Sequence, residues 1–469
     1  MYRHGLGDCF LLAFGKGNNQ QKYVLIDCGV LVGTEEAGQQ MVEVVKDVRN
    51  ATGNHLDVLV VTHEHWDHIS GFVQAQEQFD GLEVDQVWFA WTEDPKNSLA
   101  RELRERRKAA LNGLQIAIQQ AAAAPPLFTK RIESVNAFFG PGLGAAGGAT
   151  TEDAMRWIKQ KWKKRVYCTP GGTPLQIDGL PDVRFYVLGP PTDPAFIRKS
   201  RPSSKGGQVY LDDLYSGQLS YYLSALEAAP AERQFSLSER KYTPFDEAYH
   251  CDSGDMGVRD VENRYKRDPW RHIETDWTGV AGELALRLDA HTNNTSLVLA
   301  IELGPKDKVL LFTGDAQVGN WLSWETVKWD GDEDNKITND LLSRTVLYKV
   351  GHHGSHNATL REKGLESMTN GELVAFIPVN QGMAKKRRWR MPHKPLYERL
   401  VERTLGRVVL SDAGLPMVTS DAVLEAFRAQ CIETKLFVDY PITRWETWTP
   451  RPRKKKSATK AKPAPRKQR

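Results

Sequence analysis

Paired cysteines are missing from this chain. Cys9, Cys28, Cys168, Cys251 and Cys431 are scattered over 469 residues with no CxxC spacing. That excludes a disulfide framework and fits a reducing compartment, so a cytoplasmic protein is expected. Long hydrophobic runs are also missing. No apolar stretch approaches the roughly 20 residues that cross a bilayer, which excludes a membrane span. No leader peptide is expected, because Met1-Tyr2-Arg3-His4-Gly5 runs almost at once into a strand-like segment. There is no internal repeat at a solenoid period. The rest, 40% hydrophobic and 26% charged, suits a soluble globular chain of one large domain with insertions, or of two or three ordinary ones.

Charge is unevenly placed. Residues 451–469 hold ten Lys or Arg and no acid; taking those ten from the net +4 leaves residues 1–450 at −6. This tail is low in complexity and rich in Lys, Pro and Ala, so disorder is expected. Its charge suits a nucleic-acid tether, because neutralising phosphates releases counterions without sequence preference. A solubility or localisation role fits the same composition.

The densest chemistry is His63-Glu64-His65-Trp66-Asp67-His68, which follows the apolar run Val58-Leu59-Val60-Val61. That run reads as a buried strand. At an extended strand end residues i and i+2 point the same way, so His63 and His65 can share one metal ion. If the chain then turns into a helix, Asp67 and His68 can face a second. Solvated loop histidines are the bland alternative, and three imidazoles with a carboxylate at this spacing are hard to satisfy that way.

Around this motif, residues 5–16 and 22–28 read as a hairpin, 36–52 and 69–78 as helices, and 86–91 as a strand. From about 93 to 275 the pattern loosens and is taken as one large insertion, helical and irregular. Within it lie a charged-then-alanine helix at 97–124, a loop at 136–150, a basic helix at 151–165 and a strand at 183–190. A helix at 279–289 leads to strands at 296–303, 308–313, 345–350 and 373–379, then a helix near 394–404 and a strand at 407–410. Trp321, Trp324 and Trp329 are read as core packing. His4, His55, His250 and His272 are taken as ordinary and His291 as a surface residue.

Four candidate groups share one placement. Asp27, His63, Asp315 and His352 each lie at the C-terminal end of an apolar run. Carboxyl ends of sheet strands gather along one edge, where open α/β folds place their sites. Groups 290 residues apart could therefore meet around two ions.

The chain resembles the metallo-β-lactamase fold hydrolases through HxHxDH after a strand, the earlier Asp27, the TGD containing Asp315 and the later GHHGS. GLGDCFLL, VLIDCG, NNTSLVL, LLFTGDA, KVGHHGS and PHKPLYERL make it similar to the hydrolase domain of ComEC-type DNA-uptake proteins, over residues 1–72 and 290–415. The membrane channel of those proteins has no counterpart here. The resemblance implies an α/β (α+β) fold, a four-layer αββα sandwich spanning residues 1–450, with the 93–275 insertion and the tail 451–469 outside it.

It further implies that His63 and His65 bind one metal ion, that Asp67 and His68 bind another, and that Asp315 bridges the two. His352 would complete the second site, with His353 as the alternative. Asp27 would accept hydrogen bonds from the ligand loop and fix its shape. Many members of the fold add a third histidine to the first site. None is evident here, where Asn293, Asn294 and Ser296 stand instead. Two divalent ions are expected, Zn²⁺ first among them, and the missing histidine implies a weaker first site suited to Mn²⁺ as well as Zn²⁺.

A pair of divalent cations acidifies a water and clamps a phosphoryl or carbonyl oxygen. Asp67, or the metal-bound water itself, is the expected proton handler, with His353 or His356 donating to a leaving group or touching a phosphate. The expected activity is hydrolysis of a phosphodiester, in DNA. Lys385, Lys386, Arg387, Arg388, Trp389 and Arg390 could track a phosphate backbone and stack a base. The alternatives are a small-molecule hydrolase acting on a phosphoester, lactone or thioester, and a non-catalytic metal-containing binding module. The insertion could recruit a protein partner that the sequence does not identify.

Overall fold

The computed structural model describes residues 1–15, 21–120, 137–141, 148–199, 276–332, 336–417 and 421–443. Two sheets dominate. The first has the order β1 (Phe10–Phe14), β2 (Lys22–Ile26), β3 (His55–Val61), β4 (Glu83–Ala90), β5 (Arg165–Cys168). Strands β1 and β2 pair antiparallel, and β2 through β5 run parallel. The second sheet contains β6 (Leu175–Ile177), β7 (Leu180–Gly189), β8 (Val298–Glu302), β9 (Val309–Phe312), β10 (Thr345–Lys349), β11 (Val374–Ile377) and β12 (Val408–Leu410), ordered from β12 across to β6. Its β9–β12 half is parallel and its β6–β9 half antiparallel.

Strand parity makes the layers. Side chains alternate across a strand, so each buried strand feeds two cores. Val58, Val60, Trp88, Leu299, Ile301, Leu310, Phe312 and Phe376 pack between the sheets. Their neighbours Leu59, Val61, Val87 and Phe89 face outward onto helix Ala37–Thr52 and helix Thr151–Lys161. On the far side Val298, Ala300, Val309, Leu311, Tyr348 and Ala375 meet helices Val318–Ser323, Lys336–Ser343 and Lys394–Arg403. The protein is a four-layer αββα sandwich.

Three readings change. The stretch 93–275 is not an insertion throughout: β5 edges the first sheet, β6 and β7 edge the second, and helix Thr151–Lys161 covers the first. Strands β5 and β6 are only four and three residues long and partly exposed, which hides them among loop residues, whereas β7 contains most of the strand read at 183–190. The helix expected over 69–78 is three short turns, Trp66–Ile69, Gly71–Gln74 and Gln76–Asp80. His291 is half-buried rather than on the surface, and burial lowers its pKa to about 4. Trp321, Trp324 and Trp329 are buried in the outer core, as expected. The basic tail and all of residues 200–275, His250 and His272 included, lie outside the described residues. Among the described residues, no helix is long and apolar enough to cross a membrane.

Candidate metal centre

The parallel strands bring their carboxyl ends to one edge. Asp27 follows β2, His63 to His68 follow β3, Asp315 follows β9, and His352 and His353 follow β10. Asp67, His68, Asp315 and His353 each offer a ligand atom within 4.8 Å of the others, and all four are fully buried. His353 Nε2 lies 2.8 Å from Asp67 Oδ2 across a separation of 286 residues. His68 Nε2 is 3.2 Å from Asp315 Oδ2. His63 Nε2 and His65 Nδ1 face each other at 3.1 Å beside this group.

The ring that joins the cluster is His353, the alternative to His352. Residues 352 and 353 both adopt positive φ, 44° and 52°, which turns the backbone sharply after β10. That turn directs His353 inward. His352 instead meets Gln317 Nε2 and Ser355 Oγ with its Nδ1, at 3.1 and 2.8 Å.

Hydrogen bonds orient three of the imidazoles from behind. Asp27 Oδ1 accepts from the Thr62 N–H at 2.8 Å, and Oδ2 accepts from Thr62 Oγ1 at 2.6 Å and from His68 Nδ1 at 2.8 Å. Because the Thr62 hydroxyl donates to Asp27, it accepts from His63 Nδ1 at 3.1 Å. His353 Nδ1 donates to Pro378 O at 2.6 Å. Each of these rings therefore turns Nε2 toward the centre, the arrangement in which outer partners fix ligand orientation. Asp27 thus bonds the Thr62 backbone, the Thr62 hydroxyl and the His68 ring at once.

Three groups not read from the sequence complete the charge pattern. Lys349 ends β10 fully buried, with its Nζ 3.2 Å from Asp315 Oδ1, 2.7 Å from Gly314 O, and paired with Asp8. Together with the His352 N–H (2.8 Å) it occupies Asp315 Oδ1 and leaves Oδ2 facing the cluster. Asp289, near the end of helix Asp276–Asn293, is buried beside His65 and His352. A lysine inside the apolar run TVLYKV was the one available sequence signal, since a buried ammonium needs a counter-charge. Ser296 accepts from the Asp315 N–H at 3.1 Å, which gives the Asn/Ser segment a positioning role. Among the described residues no third histidine joins His63 and His65.

Burial would lower His68, but the carboxylates of Asp315, Asp8, Asp67 and Asp27 outweigh it and hold its pKa well above the ordinary value. His353 is raised in the same way by Asp315 and Asp67 against its burial. Burial, reinforced by the neighbouring rings, holds His63 well below its ordinary value. Burial takes His65 down to about 3. Burial would raise Asp315, yet His68, Lys349 and His353 hold it well below the carboxylate range. His65 Nε2, His68 Nε2, Asp67 Oδ1 and Asp315 Oδ2 are buried without a hydrogen-bond partner. Orphaned ligand atoms converging from several strands fit a divalent ion, which would displace the protons on His68 and His353.

The basic segment approaches this centre from outside. Trp389 stacks on Phe138, with centroids 5.1 Å apart and planes 20° apart, and Phe138 in turn packs against His65 and His352. Lys385, Lys386, Arg388 and Arg390 are exposed. Arg387 is half-buried, bonded to Val32 O, and its guanidinium lies 5.2 Å from the Trp389 ring centroid. His356 is exposed, its ring 6.1 Å from that of His393, and does not join the cluster.

An αββα sandwich with a histidine–aspartate cluster at its strand ends defines a class of metal-binding fold. Consistent with it, the family model for the metallo-beta-lactamase superfamily matches residues 3–149. No curated protein and no solved structure matches the chain.

Proposed function

We propose that the protein is a metal-dependent hydrolase that cleaves phosphodiesters in nucleic acid, DNA first among them. The metal-dependent part rests on the Asp67–His68–Asp315–His353 cluster, drawn from both sheets, buried, and left with unpartnered ligand atoms. His63 and His65 would hold one ion and Asp67, His68 and His353 the other, with Asp315 Oδ2 reaching both. Such ions, when bound, supply Lewis acidity and a water acidic enough to attack near neutral pH. Asp67 or the acidified water itself would handle the proton. Asp67 Oδ2 pairs with His353 while its Oδ1 is free.

Support for nucleic acid comes from the rim. A Trp389–Phe138 stack beside the candidate ligands, flanked by exposed Lys385, Lys386 and Arg388, combines an aromatic surface with phosphate-attracting charge. The similarity to the ComEC-type domain points the same way.

The test uses the full chain loaded with Zn²⁺ or Mn²⁺ and offered single- and double-stranded DNA. Cleavage is expected, and His63→Ala is expected to abolish it. A fully metallated sample that cuts no nucleic acid overturns that substrate. Turnover of a small phosphodiester, lactone or thioester in its place would establish the small-molecule reading. Metal content near zero in the purified protein would overturn hydrolysis and leave a binding module.

A further inference from the structure

Each ligand imidazole needs a partner on its outward nitrogen to hold one tautomer and one ring angle. His63 has Thr62, His68 has Asp27 and His353 has Pro378 O. His65 turns Nδ1 toward His63, so its outward nitrogen is Nε2. That atom is buried, unpartnered, and 3.9 Å from Asp289 Oδ1, which is also buried and unpartnered. The other carboxylate oxygen of Asp289 accepts from Asn293 Nδ2 at 3.2 Å and lies 4.0 Å from His352 Nε2. We propose that Asp289 is the positioning carboxylate of the first metal site, accepting from His65 Nε2–H and presenting Nδ1 to the ion. The inference rests on the metal-dependent reading above.

Formal charge supplies an independent reason. Asp8, Asp27, Asp67, Asp289 and Asp315 are five buried carboxylates, and Lys349 is the buried cation among them. Two divalent ions and one ammonium balance five carboxylates, and buried charge must be balanced to be tolerated. Asp289 also explains how a first site lacking its third histidine is held in shape. Its carboxylate comes from helix Asp276–Asn293, whose end leads into the Asn/Ser segment standing where that histidine is absent.

Calorimetric titration of metal-depleted full-length protein with Zn²⁺ tests this, alongside Asp289→Asn and Asp289→Ala. The wild type is expected to take two ions. In both variants the weaker ion should lose roughly 10- to 100-fold in affinity, the range typical of outer partners, while the tighter ion is unmoved. Nitrogen-15 spectra should show His65 carrying its proton on Nε2 in the zinc-loaded wild type and a mixture of tautomers in Asp289→Asn. A merely structural role would move neither the single affinity nor the tautomer. Two ions bound at wild-type affinity by both variants would overturn the inference. A wild type that takes no ion would overturn the metal-dependent reading and, with it, this one.

Discussion

At the residue scale, two adjacent histidines do different work, and substitution should separate them. His353 points Nε2 at Asp67, whereas His352 is held by Gln317 and Ser355. His353→Ala should weaken one ion by more than the roughly 100-fold attached to outer partners, while His352→Ala should leave both bound. Metal titration of the two variants distinguishes them, and loss of an ion from His352→Ala alone would reverse the assignment. A third histidine, His4, bears on stability. Its Nε2 donates to Gly29 O at 2.7 Å, and burial lowers its pKa from 6.5 to about 4. A histidine that stays neutral in the fold binds its proton more readily when unfolded. Its contribution is therefore complete above pH 6.5 and is lost as pH falls toward 4. At pH 5 the loss is about 2 kcal/mol. Denaturant unfolding at pH 7 and pH 5 should show a difference smaller by that amount in His4→Gln, with the other titrating groups cancelling. An unchanged difference would refute the linkage.

At the element scale, the ligand loop is fastened to the loop leaving β2. The Cys28 N–H donates to His68 O at 2.8 Å, and the Gly71 N–H donates to Cys28 O at 2.9 Å. Gly29 sits where the two loops touch. A Cβ there would fall 2.5 Å from the His68 carbonyl carbon and 2.6 Å from that of Asp67, backbone atoms that cannot swing aside. Gly29→Ala should therefore lower unfolding free energy by about 1–3 kcal/mol, as overpacking does, and displace Asp67 and His68 enough to weaken an ion. A variant with unchanged stability and unchanged metal affinity would show that the loops slide freely. The same elements explain what could be read from the chain alone. Strand ends carrying Asp27, His63 and Asp315 were legible, because an apolar run followed by a ligand-type residue marks both the strand and its edge. Asp8 and Asp289 were not, since each becomes notable only through a partner brought close by folding, and Lys349 offered only the signal of a lysine inside an apolar run. The His352/His353 choice depends on two consecutive left-handed residues, which side-chain periodicity does not encode. Strand β5, RVYC, is partly exposed and only four residues long, so its membership in the first sheet was hidden.

At the scale of the whole molecule, the candidate centre is a clasp between the two sheets. His63, His65, Asp67 and His68 come from the first, and Asp315 and His353 from the second. The surrounding carboxylates raise the pKa of His68 and His353, and two of them, Asp8 and Asp315, pair with the buried Lys349 ammonium. An ion that binds only the folded chain stabilises it by about 2.7 kcal/mol at a hundred times its dissociation constant. Two such ions would add about 5 kcal/mol, a large share of the 5–15 kcal/mol typical of a folded domain. Chelation at pH 7.5 should therefore lower the melting temperature, and each tenfold rise in free metal should raise it. Acid should shrink the effect, because binding must expel protons from the two raised imidazoles, so the metal-dependent shift at pH 5.5 should be smaller than at pH 7.5. Thermal melts across a metal series at both pH values test the two statements together. A melting temperature indifferent to metal would mean that the sheets are held by their shared core alone. A shift equal at both pH values would mean that ions bind without displacing those protons, and the assignment of His68 and His353 as their ligands would fall.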